Sequence, residues 1–330
     1  MMVGLIVSGT ARTWTDVTGR KIEAEIVSVE GDQVLLLFNG KKVPLDLARL
    51  SNEDQEFIKE WAVHQTATET DNSGELELCG TPLKTGGAVN VIEEPLSATT
   101  LKEFSKASDK PGKLRLAVAL PDGFDPSKPQ YVMWVSAAIN NEGERKRGNT
   151  GAIGRYAKVA TEAGWVVIAA DTDQGNPRLE DNQKATGGDL AVHTEAIEIL
   201  SKAWPGFKAS KFACCGFSGG AKATFYRAGD LLVSDLEVIG MFLGGCNQDM
   251  TDDARDETRF RKAGLRKIRV FISNGKDDKI SSVAHATAVK DSVKSNGYGD
   301  VRLELFEGGH QMDNQEFLKA MAWFKEAPKK

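Results

Sequence analysis

From Leu114 onward the chain alternates short apolar runs with helix-compatible stretches, and this alternation limits the fold more than any other feature. Residues 131–136 and 165–170 are almost continuously apolar, the pattern of strands buried on both faces. Residues 114–120, 211–215, 238–243, 268–273 and 301–306 read as further strands. Helical patterning falls at 152–163, 190–204, 219–228, 256–263, 283–295 and 315–324. Repeated β-α-β units of this length call for an α/β fold, a mainly parallel sheet with helices on both faces.

The 330 residues allow one large α/β domain and one small companion. The net charge of -5 argues against a nucleic-acid partner, because phosphate neutralisation needs clustered Lys and Arg. The densest basic run, Glu144-Arg145-Lys146-Arg147, is short and carries its own acid. No apolar run approaches the roughly 18 residues of a membrane span. Cys79, Cys214, Cys215 and Cys246 are too sparse for a disulfide scaffold and contain no C-x-x-C pair for zinc. Cys214 and Cys215 read as small buried strand residues. No metal, nucleotide or flavin motif is present, so no cofactor is expected.

The companion occupies residues 12–67. Ile22, Ala24 and Ile26 alternate with Glu23 and Glu25, the signature of a half-buried strand. A turn at Gly31-Asp32 leads to a strand over 33–38, and Asn39-Gly40 makes a hairpin turn into a third strand over 42–45. Ser51 opens a helix, with Asp54 as a variant capping box. Leu50, Phe57 and Trp61 are placed to fold that helix onto the strands. The stretch R-T-W-T-D-V-T-G-R-K-I-E-A-E-I-V-S-V-E-G-D-Q-V with L-A-R-L-S-N-E-D-Q-E-F-I resembles the Sla-homology domain, of SH3-like fold. That resemblance implies a small β domain and a peptide or protein ligand, without naming it.

Residues 68–87, rich in Thr, Gly, Asn and Glu, read as a linker, and residues 88–330 as the α/β domain. Residues 1–11 read as a signal-peptide remnant or an N-terminal arm. The first reading implies export to the periplasm or beyond, the second a cytoplasmic protein.

The chemistry centres on Gly216-Phe217-Ser218-Gly219-Gly220. Acyl transfer by a serine needs an exposed hydroxyl, a histidine to take its proton and an acid to orient that histidine. A serine on a tight strand-to-helix turn between glycines is such a nucleophile. Of His64, His193, His285 and His310, only His310 lies in a loop after a late strand, where open α/β sheets place their ligands. The acid belongs after the preceding strand, where Asp277 and Asp278 compete. Two backbone N–H groups are needed for the oxyanion. Gly219 supplies one, and Ala137 or Ala138, after the 131–136 strand, the other.

These ordered motifs resemble the α/β-hydrolase family in its esterase-like branch, from Leu114 to the C-terminus. The L-P-D-G-F-D-P-S-K-P approach to the 131–136 strand is similar too. The resemblance favours Asp278 through its G-x-x-D spacing. The chain departs from it at Ser136-Ala137-Ala138-Ile139-Asn140, where many esterases carry His-Gly. The reaction expected is carboxylester hydrolysis. The polar runs at 140–151 and 171–188 point to a soluble small-molecule ester, of carbohydrate or plant-polymer type, rather than a lipid. The alternatives are a serine peptidase and an inactive hydrolase domain whose N-terminal module does the binding.

Overall fold

Alternation along short strands builds the first of two units, Met1–Gly74 and Glu75–Lys330. The computed structural model describes residues 12–30, 33–38, 40–58, 76–105, 110–176 and 186–326. Residues 1–11, His64, Trp61 and the first part of the expected linker lie outside these.

In the first unit β1 (Arg12–Thr15), β2 (Lys21–Glu30), β3 (Gln33–Phe38) and β4 (Lys41–Asp46) form a four-stranded antiparallel sheet in chain order. Trp14, Ala24, Ile26, Val34 and Leu36 turn inward and pack with Leu50 and Ile58. A register shift after Ile26 bends β2, as a bulge does. Helix α1, residues 52–58, starts at Ser51, whose hydroxyl oxygen accepts the Asp54 N–H at 3.2 Å. The other half of the capping box is absent. The Ser51 N–H donates to the Thr15 carbonyl instead. The Asp54 carboxylate takes the Thr15 N–H and pairs with Arg12, tying α1 to β1. Phe57, placed to fold the helix onto the strands, packs edge-on against Trp14 of β1 at 5.9 Å and lies under the Arg12 guanidinium, while Ile58 is the buried residue of that turn.

The second unit opens with a small hairpin, β5 (Glu77–Leu78) and β6 (Thr81–Pro82). Leu78 is buried in the main core, so the expected linker does not run to residue 87. The main sheet contains β7 (Val89–Pro95), β8 (Lys113–Ala119), β9 (Tyr131–Ser136), β10 (Val166–Thr172), β11 (Lys211–Phe217), β12 (Glu237–Gly244), β13 (Arg269–Gly275) and β14 (Val301–Phe306). Their spatial order is β14-β13-β12-β11-β9-β10-β8-β7. β7 and β8 are antiparallel to their neighbours and the other pairs are parallel. This is the α/β-hydrolase fold. β7 escaped the sequence reading because it is an edge strand on which Ile92 is the buried residue and Val89 and Val91 are exposed.

Successive residues of β9 serve opposite layers, Val132 and Trp134 one core, Met133 and Val135 the other. On the first face pack α5 (Thr186–Ala203), α6 (Gly219–Val233), α7 (Thr251–Thr258) and α8 (Val283–Ser295). On the second pack α4 (Gly154–Glu162) and α9 (Asn314–Lys325). Helix α2 (Ala98–Glu103) lies against α5. Most of the polar run at 140–151 is helix α3 (Glu142–Ala152). It carries no apolar stripe. Its Arg145, Asn149 and Thr150 are buried, and a positive φ at Gly148 kinks it. The helix expected over 256–263 lies earlier, as α7.

Candidate active site

β9 and β11 are neighbours whose connections leave the sheet on opposite faces. β9 leads through α3 and α4 to β10, and β11 leads through α6 to β12. Such a reversal opens a crevice at the carboxyl ends of the strands.

Ser218 stands in that crevice between β11 and α6, with φ 56° and ψ -121°. A non-glycine residue there carries strain on the order of 1–3 kcal/mol, typical of functional turns. The turn holds because the Ser218 N–H donates to the Gly244 carbonyl at 2.8 Å. Its glycines are required by space. A Cβ on Gly216 would lie 2.1 Å from the Gly220 carbonyl oxygen, and one on Gly220 2.5 Å from that of Ser136. Ser218 also sits at the N-terminus of α6, where the helix dipole favours negative charge.

The structure brings Ser218, His310 and Asp278 together. His310 Nε2 is 2.9 Å from Ser218 Oγ, and Nδ1 is 2.7 Å from Asp278 Oδ2. The other Asp278 oxygen accepts the N–H groups of Ile280 and Ser281 at 2.8 and 2.7 Å. Burial at 4% exposure pushes the Asp278 carboxyl up, but the hydrogen bonds from His310, Ser281 and Ile280 outweigh it and hold it below its ordinary value. Asp278 therefore stays ionised. Asp277 points its side chain to solvent, while its N–H donates to the Gly308 carbonyl and holds the histidine loop. Gly245, which the sequence reading passed over, leaves room for the imidazole: a Cβ there would lie 3.0 Å from His310 Cε1.

The other two described histidines serve elsewhere. His285 is exposed and completes a capping box with Ser282 at the start of α8. His193 is fully buried against Trp134, and burial together with nearby Arg227 pushes it down to about 4, against Asp189. Cys214 and Cys215 are buried inside β11, and burial pushes both thiols well up, so neither is a nucleophile at neutral pH.

Of the expected oxyanion donors, Ala137 is corrected. Its N–H already donates to Asn149 Oδ1 at 2.9 Å. Among the described residues the N–H groups of Ala138 and Gly219 have no protein acceptor. The two residues adjoin, the Cβ of Ala138 lying 3.2 Å from where a Cβ on Gly219 would be. The Asn140 carboxamide fills the same space, at 2.8 Å for Oδ1 and 3.2 Å for Nδ2. Asn140 and Asn149 carried no motif, and only proximity to the 131–136 strand marked them. Ile139 and Ile280, 48% and 59% exposed, stand in the loops that hold Ala138 and Asp278. The ring of Phe217 lies 4.8 Å from that of His310.

Residues 8–66 match SLA1 homology domain 1. The match accounts for the first unit and leaves the chemistry at Ser218 to the second. No curated protein matches the chain. Among solved structures, one from Bacteroides ovatus named for a dipeptidyl aminopeptidase IV is similar over 96% of this chain, at 13% identity and TM-score 0.47. The similarity covers 43% of that protein, so this chain spans less than half its length. A ferulic acid esterase is similar over 71% of this chain and 96% of its own, at 16% identity and TM-score 0.44. An esterase from Thermogutta terrifontis is similar over 67% and 92%, at 16% identity and TM-score 0.43.

Proposed function

We propose that the Glu75–Lys330 unit is a serine hydrolase that cleaves carboxylic esters through an acyl-enzyme. The observation that carries this reading is the unbroken hydrogen-bond chain from Ser218 Oγ through His310 to ionised Asp278, beside two unengaged N–H groups.

Ser218 Oγ attacks the ester carbonyl carbon as its proton passes to His310 Nε2. The carbonyl oxygen becomes an oxyanion facing the Ala138 and Gly219 N–H groups at the positive end of α6. Collapse breaks the carbon–oxygen bond, and the alcohol leaves with the proton from His310. A water then gives a proton to His310 and attacks the acyl carbon, and collapse breaks the acyl bond to Ser218 as His310 returns that proton to its oxygen, releasing the carboxylic acid. Asp278 holds the imidazole in one tautomer throughout and stabilises its charged form.

The exposed Ile139 and Ile280 suit a small apolar or aromatic acyl group, and the exposed Asn140 and Asn141 beside Ile139 suit a hydrophilic alcohol. Soluble esters of carbohydrate or plant-polymer type meet both conditions. The SLA1 homology domain 1 is the unit we assign to binding a peptide or protein, and an exported protein is the setting that fits a polymeric ester.

A panel of chromogenic esters and peptide anilides, run on wild type and Ser218→Ala, tests the assignment. Ester turnover is expected to fall at least about 10,000-fold in the variant. Unchanged turnover in Ser218→Ala overturns the mechanism. Preference for the anilides converts the reading to a peptidase, and failure of a fluorophosphonate to label folded wild type converts it to a binding protein.

A further inference from the structure

A backbone oxyanion donor has no side chain of its own to aim it, so the peptide that carries it must be held from behind. In this chain the holding group is Asn149, just past the kink at Gly148 and only 2% exposed. Its Oδ1 accepts the Ala137 N–H at 2.9 Å and its Nδ2 donates to the Ala170 carbonyl at 2.9 Å. The two partners fix the amide orientation, since an N–H can only donate and a carbonyl can only accept. Asn149 thus bridges the carboxyl ends of β9 and β10 with both halves of its carboxamide. Leucine offers neither half, aspartate loses the donor, and glutamine is one methylene too long.

Asn149 is itself braced. The next residue, Thr150, donates its N–H and its hydroxyl to Asp171 at 2.9 Å each, and Arg115 of β8 pairs with the same carboxylate at 2.9 Å. Gly148 admits this arrangement because a Cβ there would lie 2.0 Å from Asp171 Oδ2. A run of polar contacts, part-buried at Arg115 and buried beyond it, therefore leads from β8 through β10 and α3 to Ala137. Its outcome is local. With the Ala137 N–H turned inward, the next amide, that of Ala138, is left without an acceptor beside the nucleophile turn. Its nitrogen is 3.2 Å from the position of a Cβ on Gly220.

We propose that Asn149 is a positioning residue for the oxyanion hole: it takes the Ala137 N–H and thereby aims the Ala138 N–H, with that of Gly219, at the oxyanion. The assignment rests on the serine-hydrolase reading above. Asn149 touches no substrate, so its removal acts on the transition state and spares ground-state binding.

The test compares full-length wild type with Asn149→Leu and Asn149→Asp on a chromogenic ester, with sites counted by exhaustive fluorophosphonate labelling. Counting removes any misfolded fraction, and Asn149→Asp keeps the size and the Ala137 acceptor should the leucine variant fold poorly. In Asn149→Leu, kcat per labelled site is expected to fall about 100-fold with KM within about twofold, and inhibition by a trifluoromethyl ketone is expected to weaken by the same factor. Asn149→Asp is expected to lose less. Protection of the Ala137 amide from hydrogen exchange is expected in wild type and not in Asn149→Leu. If kcat per labelled site stays within twofold of wild type while only the melting temperature falls, Asn149 is a packing residue and the proposal is overturned. Wild type that neither labels nor turns over esters overturns the hydrolase reading first, and this assignment with it.

Discussion

On the side of β11, β13 and β14, three side chains meet through two hydrogen bonds, and in the mechanism we propose Ser218 and His310 exchange the proton while Asp278 holds the imidazole. On the side of β9 and β10 the reacting group is a backbone amide, and the side chains stand behind it. The two sides also rest on buried aspartates held in opposite ways. Asp278 receives N–H bonds at both oxygens and is held below the ordinary carboxylate range. Asp171 has Arg115 and Thr150 as partners, yet burial prevails and pushes it up to about 6. Both carboxylates receive donors at both oxygens, and they differ because burial outweighs those donors at Asp171 and not at Asp278.

The largest effect expected from this contrast lies in the acid loop. Asp278→Asn places an amide where His310 needs an acceptor and disfavours the productive tautomer, and kcat should fall about 10,000-fold. Asp277→Asn, one residue away and solvent-facing, should leave kcat within about twofold. Steady-state kinetics on the pair check this, and equal losses in both variants would show that the loop's shape, rather than the carboxylate on His310, is what matters.

The same contrast explains what could be read without the structure. Ser218, His310 and Asp278 stand out because acyl transfer demands those residue types, and because the apolar strands ahead of them fix where their loops lie. Gly216 and Gly220 were visible as a pattern, and their cause is the closeness of the Gly220 and Ser136 carbonyls. β9 and β14 begin and end where the sequence places them, β9 through its apolar run and β14 through its alternation of apolar and charged residues. By contrast, a backbone N–H has no residue signature, so Ala137 and Ala138 were indistinguishable until Asn149 was seen to engage one of them. Helix α3 was hidden because its buried face is polar: Arg145, Asn149 and Thr150 make hydrogen bonds where an amphipathic helix would bury apolar groups. Leu76, Leu78 and Leu83 are sparse apolar residues among Glu, Thr, Gly and Asn, and their short L-E-L alternation was too brief to announce a core contact.

A smaller effect is expected where the two sides touch. The Asn140 carboxamide occupies the volume that a side chain on Gly219 would take. Asn140→Ala should lower kcat/KM about tenfold by loosening the wall beside the oxyanion donors, and Gly219→Ala should cost less in that background than in wild type. A double-mutant cycle measures the coupling. Strict additivity would place the Asn140 side chain outside the reacting region.

The smallest expected effect concerns stability, and it separates the two aspartates by sign. Asp171 keeps its proton to about pH 6 in the folded protein, whereas an unfolded aspartate loses it near 3.8. Between these values the folded state binds the extra proton, so this residue's contribution to stability falls as pH rises and is fully lost above about 6. A shift of about two units corresponds to roughly 3 kcal/mol. Asp278 runs the other way, its contribution present above the ordinary carboxylate range and lost as pH falls below it. Urea unfolding of wild type and Asp171→Asn from pH 4 to 7.5 isolates the first term, since His193, driven down to about 4 by burial, is common to both proteins and cancels in the difference. Wild type should lose up to roughly 3 kcal/mol relative to the variant across that range. A difference that grows in favour of wild type would mean that the Arg115 pair outweighs burial, and that both sides of the site rest on charged aspartates after all.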